Sequence, residues 1–359
     1  VSRSATIAWG GTSAHANLLA SGTKAGAIDG SFDNTSHLEI FSFDESTHEM
    51  PLLGSVQTNE RFHRVAWGNA GINDGSLPYG IIAGGMDDGT IKIFNPALML
   101  ADAGADPMVA CIEKHVGPVR GLEFNPTMSN LLASGAGDSE VYITDLSNPA
   151  APSIYNPGAK PNQSADISCV AWNRKVAHIL ASTSHSGLSV VWDLKLKRPV
   201  INFGGGQRNS VVAWNPEVAT QILVASEDDM SPKLQIWDLR NALAPVMELI
   251  GHTKGVLAAS WCPDDANLLL SAGKDNRTIC WDPSCGEIVS ELPASNNWTF
   301  DVQWSPCIPA IVASCSFDGD VSVFSLQDFP APEPVASNGF GVAQPPPSRP
   351  VRAPKWLQR

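Results

Sequence analysis

The chain has 359 residues, 43% of them hydrophobic and 16% charged, which is ample apolar material for a large core. Its formal net charge is −13, and an acidic surface repels phosphate backbones, so nucleic acid is not an expected partner. No apolar run approaches the roughly 18 residues that span a bilayer, and no signal-peptide pattern opens the chain, so direct membrane insertion is not expected. The 7 cysteines are odd in number and contain no CxxC pair. They read as small buried hydrophobes of a reducing compartment, which favours the cytoplasm over a disulfide framework or a metal site.

From the first residues onward one phrase recurs. A short apolar strand closes on an aromatic, a second apolar run with small residues follows, then a polar turn and a third strand. The first instance is Thr6-Ile-Ala-Trp9, Leu18-Leu-Ala-Ser21 and His37-Leu-Glu-Ile-Phe41, with an unusually long connection from Gly22 to Ser36. The second runs through Val65-Ala-Trp67, Ile81 to Gly85, the turn Asp87-Asp-Gly89 and Ile91-Lys-Ile-Phe94, with an insertion from Gly68 to Tyr79. The third contains His115, Ser134 and Asp138 at matching offsets, with Thr144 closing its third strand. In the fourth, Ser182 and Trp192 are kept and Ser186 stands at the position of the acid. The fifth reads Val211 to Trp214, Leu223 to Ser226 and Leu234 to Asp238, with an acidic turn starting at Glu227. The sixth is the most regular, and the seventh keeps Ser314 and Asp318 and closes on Phe324.

The aromatics that end the first strands are Trp9, Trp67, Phe124, Trp172, Trp214, Trp261 and Trp304, spaced by 58, 57, 48, 42, 47 and 43 residues. That is near the roughly 40–45-residue period of four-stranded propeller blades. The pattern predicts an all-β, seven-bladed β-propeller over residues 1–329, with repeats near 1–45, 61–106, 115–155, 163–203, 207–249, 251–292 and 296–328. The ring could close through residues 1–4 extended as a strand, or through the segment after Leu326 returning to the last blade. In the sixth repeat His252, Ser271, Asp275 and Trp281 have the order of a WD-repeat hydrogen-bond tetrad. The Asp accepts from the His ring, the ring meets the Ser hydroxyl, and that hydroxyl accepts from the indole N–H, so four polar groups are buried with partners.

Beyond Phe329 the composition changes. Residues 330–359 are crowded with proline and form a Pro-rich linker that ends on a basic segment with Lys355, Trp356 and Leu357, a candidate partner contact. No catalytic or cofactor-binding constellation emerges. Gly204-Gly-Gly206 lacks the Lys-Ser/Thr of a phosphate loop, the 8 histidines show no HExxH spacing, and the Glu227-Asp228-Asp229 run does not match an EF-hand loop. The chain reads as non-enzymatic, with no catalytic residue, metal or cofactor expected. A propeller that reads a linear peptide on one face stands as the alternative.

The wording of the blades narrows this. The stretches His115-Val-Gly-Pro-Val-Arg-Gly-Leu122, Asn130 to Ile143, Pro157-Gly-Ala-Lys160 and Asp166 to Asn173 resemble the larger outer-cage subunit of the COPII vesicle coat. Val218-Ala-Thr-Gln221, Ala225 to Asp229 and the Ala353-Pro-Lys-Trp-Leu357 ending fit as well, so the resemblance covers essentially the whole chain. It implies the N-terminal WD-repeat propeller of that subunit, a scaffold of the polyhedral cage that drives budding from the endoplasmic reticulum towards the Golgi. The partners it implies are other copies of the chain at cage vertices, inner-coat subunits, and a smaller propeller subunit met mainly through sequence following Arg359. The location it implies is peripheral, on COPII vesicles and endoplasmic-reticulum exit sites.

Overall fold

The computed structural model describes residues 4–26, 35–47, 49–73, 75–101, 104–160 and 165–326. Seven antiparallel sheets are present, each a meander in chain order; six have four strands and the last has three among the described residues. Their innermost strands are Ala5–Trp9, Phe62–Gly68, Gly121–Phe124, Ile167–Trp172, Asn209–Trp214, Val256–Trp261 and Thr299–Trp304. The chain is therefore a seven-bladed propeller, with blades 1 to 7 numbered in chain order.

Burial explains why each repeat has its grammar. The second strand of a blade has neighbours on both faces, and Leu18–Thr23, Ile81–Met86, Leu131–Gly135 and Leu269–Gly273 are buried along their whole length. Continuous runs of small and branched apolar residues suit that position. The outermost strands, such as Leu52–Thr58, alternate between exposed and half-buried because one face meets solvent. Each of the seven blade junctions holds its own apolar cluster, so the core is a ring of contacts and not a central mass. Phe62 is fully buried and tightly packed between blades 1 and 2. A Cβ on Gly84 would lie 2.4 Å from its ring and one on Gly22 2.9 Å, so both positions require glycine.

At three junctions the recurring aromatic fastens one blade to the one before it. The indole N–H of Trp172 donates to the Glu123 carbonyl (3.0 Å), that of Trp214 to the Ala171 carbonyl (2.9 Å) and that of Trp304 to the Ser260 carbonyl (3.0 Å). In each case the acceptor is the residue just before the aromatic of the preceding blade. The asparagines that follow two of these aromatics reach the other way: Asn125 Nδ2 donates to the Ala177 carbonyl and Asn173 Nδ2 to the Ala219 carbonyl, both at 2.8 Å.

Neither closing strand expected from the sequence, residues 1–4 or the segment after Leu326, is placed in the last blade among the described residues. Ser4 precedes the innermost strand of blade 1, and residues 1–3 and 327–359 lie outside the described residues. Within the described residues the ring closes face to face. Ala5, Ile7, Trp9 and Leu19 of blade 1 pack on Ile311, Ala313 and Cys315 of blade 7. At the centre of this junction is Asp301, whose side chain is 1% exposed. Its Oδ2 accepts from the Thr6 hydroxyl (3.1 Å) and the Ile7 N–H (3.2 Å), and its Oδ1 accepts from Arg64 of blade 2 (3.3 Å). Gln303 Nε2 adds a bond to the Ile7 carbonyl at 2.7 Å. Removing a buried, paired carboxylate strands the Arg64 charge and two donors. Asp301→Ala is therefore expected to cost about 3–5 kcal/mol, measured as a lower urea midpoint at unchanged slope; a shift within ~0.5 kcal/mol of wild type would remove Asp301 from this role.

Candidate functional site

In blade 6 a polar chain links the loop before the innermost strand to the second and third strands and the turn between them. The Asp275 carboxylate accepts from His252 Nδ1 at 3.0 and 3.1 Å and from the Thr253 N–H at 2.9 Å. His252 Nε2 is 2.7 Å from the Ser271 hydroxyl, which in turn accepts the Trp281 indole N–H at 2.8 Å. With the ring proton on Nδ1, facing the carboxylate, Ser271 donates to Nε2, and each of the four groups has a partner. Burial works to raise the Asp275 carboxyl, but the donors from His252, Thr253 and Arg277 outweigh it and hold it below the ordinary carboxylate value. Asn276, in the same turn, takes φ +64°, a conformation asparagine tolerates.

Blade 3 departs from the expected pattern. His115 Nε2 meets Ser134 at 2.7 Å, but the acid is not Asp138. Asp138 and Ser139 both adopt left-handed backbone, φ +54° and +55°, which swings the Asp138 side chain outward to bond Lys160 at 2.8 Å. Glu140 takes its place: it accepts the Val116 N–H at 3.1 Å and lies 3.5 Å from His115 Nδ1. Thr144, standing where other blades have an aromatic, leaves its buried hydroxyl without a partner among the described residues. In blade 4 the Trp192 indole still donates to Ser182 (2.9 Å), whereas Ser186 bonds Ser184 and does not act as an acid.

The two mouths of the central channel differ. One is lined by the aromatic ends of the innermost strands, Trp9, Trp67, Phe124, Trp214, Trp261 and Trp304 among them, around a cavity of about 490 Å³. The other, where the innermost strands begin, is a smaller cavity of about 220 Å³ lined by charged groups. In blades 2, 4, 5, 6 and 7 a β-bulge lies at the second residue of the innermost strand, and the skipped residues His63, Ser168, Ser210, Leu257 and Phe300 all line this second mouth. Neither Asp301 nor the cations of this mouth, Lys24, Arg64, Arg120 and Arg208, stand out in the sequence. Arg64, Arg120 and Arg208 precede the aromatics Trp67, Phe124 and Trp214 by three, four and six residues, a signal visible only when repeats are aligned on those aromatics. Lys355, Trp356 and Leu357 lie outside the described residues. Among the described residues no group of three or more His, Cys, Asp or Glu is placed to hold a metal, and no helix is long and apolar enough to cross a membrane.

Seven four-strand-type blades and a His–Ser–Asp–Trp chain define a WD-repeat propeller, and a family model described as WD domain, G-beta repeat, matches residues 243–282. The chain is 47% identical over 367 residues to protein transport protein SEC31 homolog B of Arabidopsis thaliana, covering all of this chain and 32% of that protein. It is 42% identical over 414 residues to protein transport protein SEC31 of Mycosarcoma maydis, covering all of this chain and 28% of that one. Among solved structures it resembles a chain of the COPII outer-coat vertex on membranes, with 31% identity, a TM-score of 0.80, and coverage of 96% of this chain and 92% of that one. The chain belongs to the SEC31 family, as its WD-repeat propeller. It spans about 30% of the length of the curated relatives it matches.

The polar chain of blade 6 generates a stability test. Ser271→Ala leaves His252 Nε2 and the Trp281 indole N–H unpaired inside the blade, and a loss of about 1–3 kcal/mol is expected in equilibrium unfolding. A neutral result would show that the four residues are not the fastening of this blade. A second test follows from two imidazoles. Burial holds both His63 and His115 down to about 4, opposed only in part by Asp87 and Glu140 respectively. They stay neutral in the folded chain while the unfolded chain takes up protons near the ordinary value of 6.5. Stability is therefore complete above about pH 6.5 and falls as pH drops towards 4. The urea midpoint should be lower at pH 5 than at pH 7, and the dependence shallower in the His63→Gln, His115→Gln double variant; equal pH profiles for the two proteins would contradict it.

Proposed function

We propose that the chain is a structural, non-enzymatic scaffold element of the COPII outer coat, contributing to the polyhedral cage that deforms membrane into transport vesicles. The observation that carries this reading is the likeness, at 31% identity and over 92% of the other chain, to a component of the outer-coat vertex on membranes. The residue-level design agrees with it: bonds run between blades and across the closing junction, the pattern of a rigid block rather than of a hinged catalyst. Apolar side chains are exposed on or beside the outer strands of several blades, with Leu52 52%, Met108 40%, Val200 40% and Ile250 72% exposed. Contacts built on such dispersed residues are individually weak and gain strength by repetition, which suits a coat that must disassemble. Other copies of the chain at vertices, a smaller propeller subunit and inner-coat subunits are the partners this reading entails. It places the protein on the cytoplasmic side of vesicles and endoplasmic-reticulum exit sites, without contact to anionic lipid by its acidic surface.

Two measurements check it. In dilute solution the isolated chain should be monomeric by light scattering, and a tight tetramer would contradict weak, repeated contacts. In a reconstitution on vesicles, a SEC31 protein whose propeller is replaced by this chain should assemble vertices, whereas one lacking it should not. Ordered cages from the deleted form would sink the proposal.

A further inference from the structure

The charged mouth of the channel has a composition at odds with the rest of the molecule. Lys24 from blade 1, Arg64 from blade 2, Arg120 from blade 3 and Arg208 from blade 5 converge on a cavity of about 220 Å³, in a chain whose net charge is −13. Two carboxylates share the lining, Asp301 and Glu227, and both are already engaged, by Arg64 at 3.3 Å and by Arg208 Nε at 2.9 Å. A third, the half-exposed Asp166, stands 3.5 Å from Arg120. Among the lining residues four cations face two carboxylates, with Asp166 and Asp87 standing beside Arg120 and His63. Burial presses Lys24 down to about 8, Asp301 is the largest charge opposing this, and Arg64 and Arg120 add to it more weakly. His63 is lowered first by burial, with Asp87 opposing and Lys24 and Arg120 adding to it; His185 is lowered by burial and then by Arg208, with Glu227 opposing.

We propose that this mouth is a binding site for a phosphomonoester dianion, received by Arg120 and Arg208 with the more buried Lys24 behind them. Each guanidinium carries five donors, and each of these two spends few of them on its carboxylate, so both can turn N–H groups to a second anion. A dianion with three acceptor oxygens can bridge forks from different blades, which a single carboxylate does less well. The recurring bulges matter here because they place His63, Ser168 and Ser210 at the rim without disturbing the strands behind them. The net charge of −13 disfavours extended polyanions, so the ligand is a compact group, either free or at the tip of an extended phosphorylated segment. None of this depends on the coat assignment.

The test is calorimetric titration of the chain with two probes: free O-phosphoserine, and a ten-residue neutral peptide carrying one phosphoserine, with the unphosphorylated peptide as control. Saturable binding is expected, weakened at least tenfold in the Arg120→Gln, Arg208→Gln double variant and in Arg120→Gln alone to a lesser degree. Binding should be unchanged in Arg240→Gln, an exposed site on the remote turn Leu239–Asn241. Binding of the peptide alone identifies a phosphorylated segment as the source, and equal binding of both probes identifies a free phosphomonoester. Absence of saturable binding, binding that the double variant retains in full, or attachment to anionic-lipid vesicles with no affinity for either probe would overturn the proposal.

Discussion

A ring of blades has one junction that chain order does not guarantee. Six of the seven interfaces join neighbours in sequence, so a short connection keeps their partners close; the seventh must bring residues nearly 300 apart into register, as Thr6 and Asp301 are. If it fails, two apolar faces meet water at once. A buried carboxylate with one charged and two neutral donors is an orientation-specific solution, since a slip of one residue would leave Asp301 unpaired. Every other feature of the molecule, including the geometry of both channel mouths, presupposes that this contact is made.

The same polar economy recurs at smaller scale. At three junctions an indole ties an innermost strand to the one before it, and at two an asparagine ties a turn to the blade after it, so fastening runs both ways around the ring. Within a blade the His252–Ser271–Trp281 chain holds loop to sheet. Where it is incomplete, as in blade 3, an unpaired hydroxyl at Thr144 and a longer contact to Glu140 remain. For a scaffold, rigidity spread over many such bonds suits the load better than one large core.

Much of the fold was legible in the sequence because it rests on periodicity: all seven predicted aromatics lie at or next to the end of an innermost strand. The blade 6 residues were legible for the same reason, their offsets being those of the repeat. Asp138 misled because spacing says nothing about the sign of φ, and two left-handed residues carried its carboxylate out of the blade. Asp301 was hidden differently. In Thr299-Phe-Asp-Val-Gln-Trp304 it is one acid in an ordinary strand, and its meaning comes from residues at the opposite end of the chain. The cations of the channel mouth were also invisible singly, since each belongs to a different blade and only closure assembles them.

The β-bulges at the starts of the innermost strands separate two jobs that a sheet usually combines. Each inserts a single residue that lines the channel mouth, and of these Ser210 is also bonded to the next blade, through the Val256 carbonyl at 2.7 Å. Substitutions at those positions can therefore retune the chemistry of the mouth one blade at a time while the ring stays intact. A protein bound to a repetitive architecture thereby keeps a few places at its centre where lineages are free to diverge.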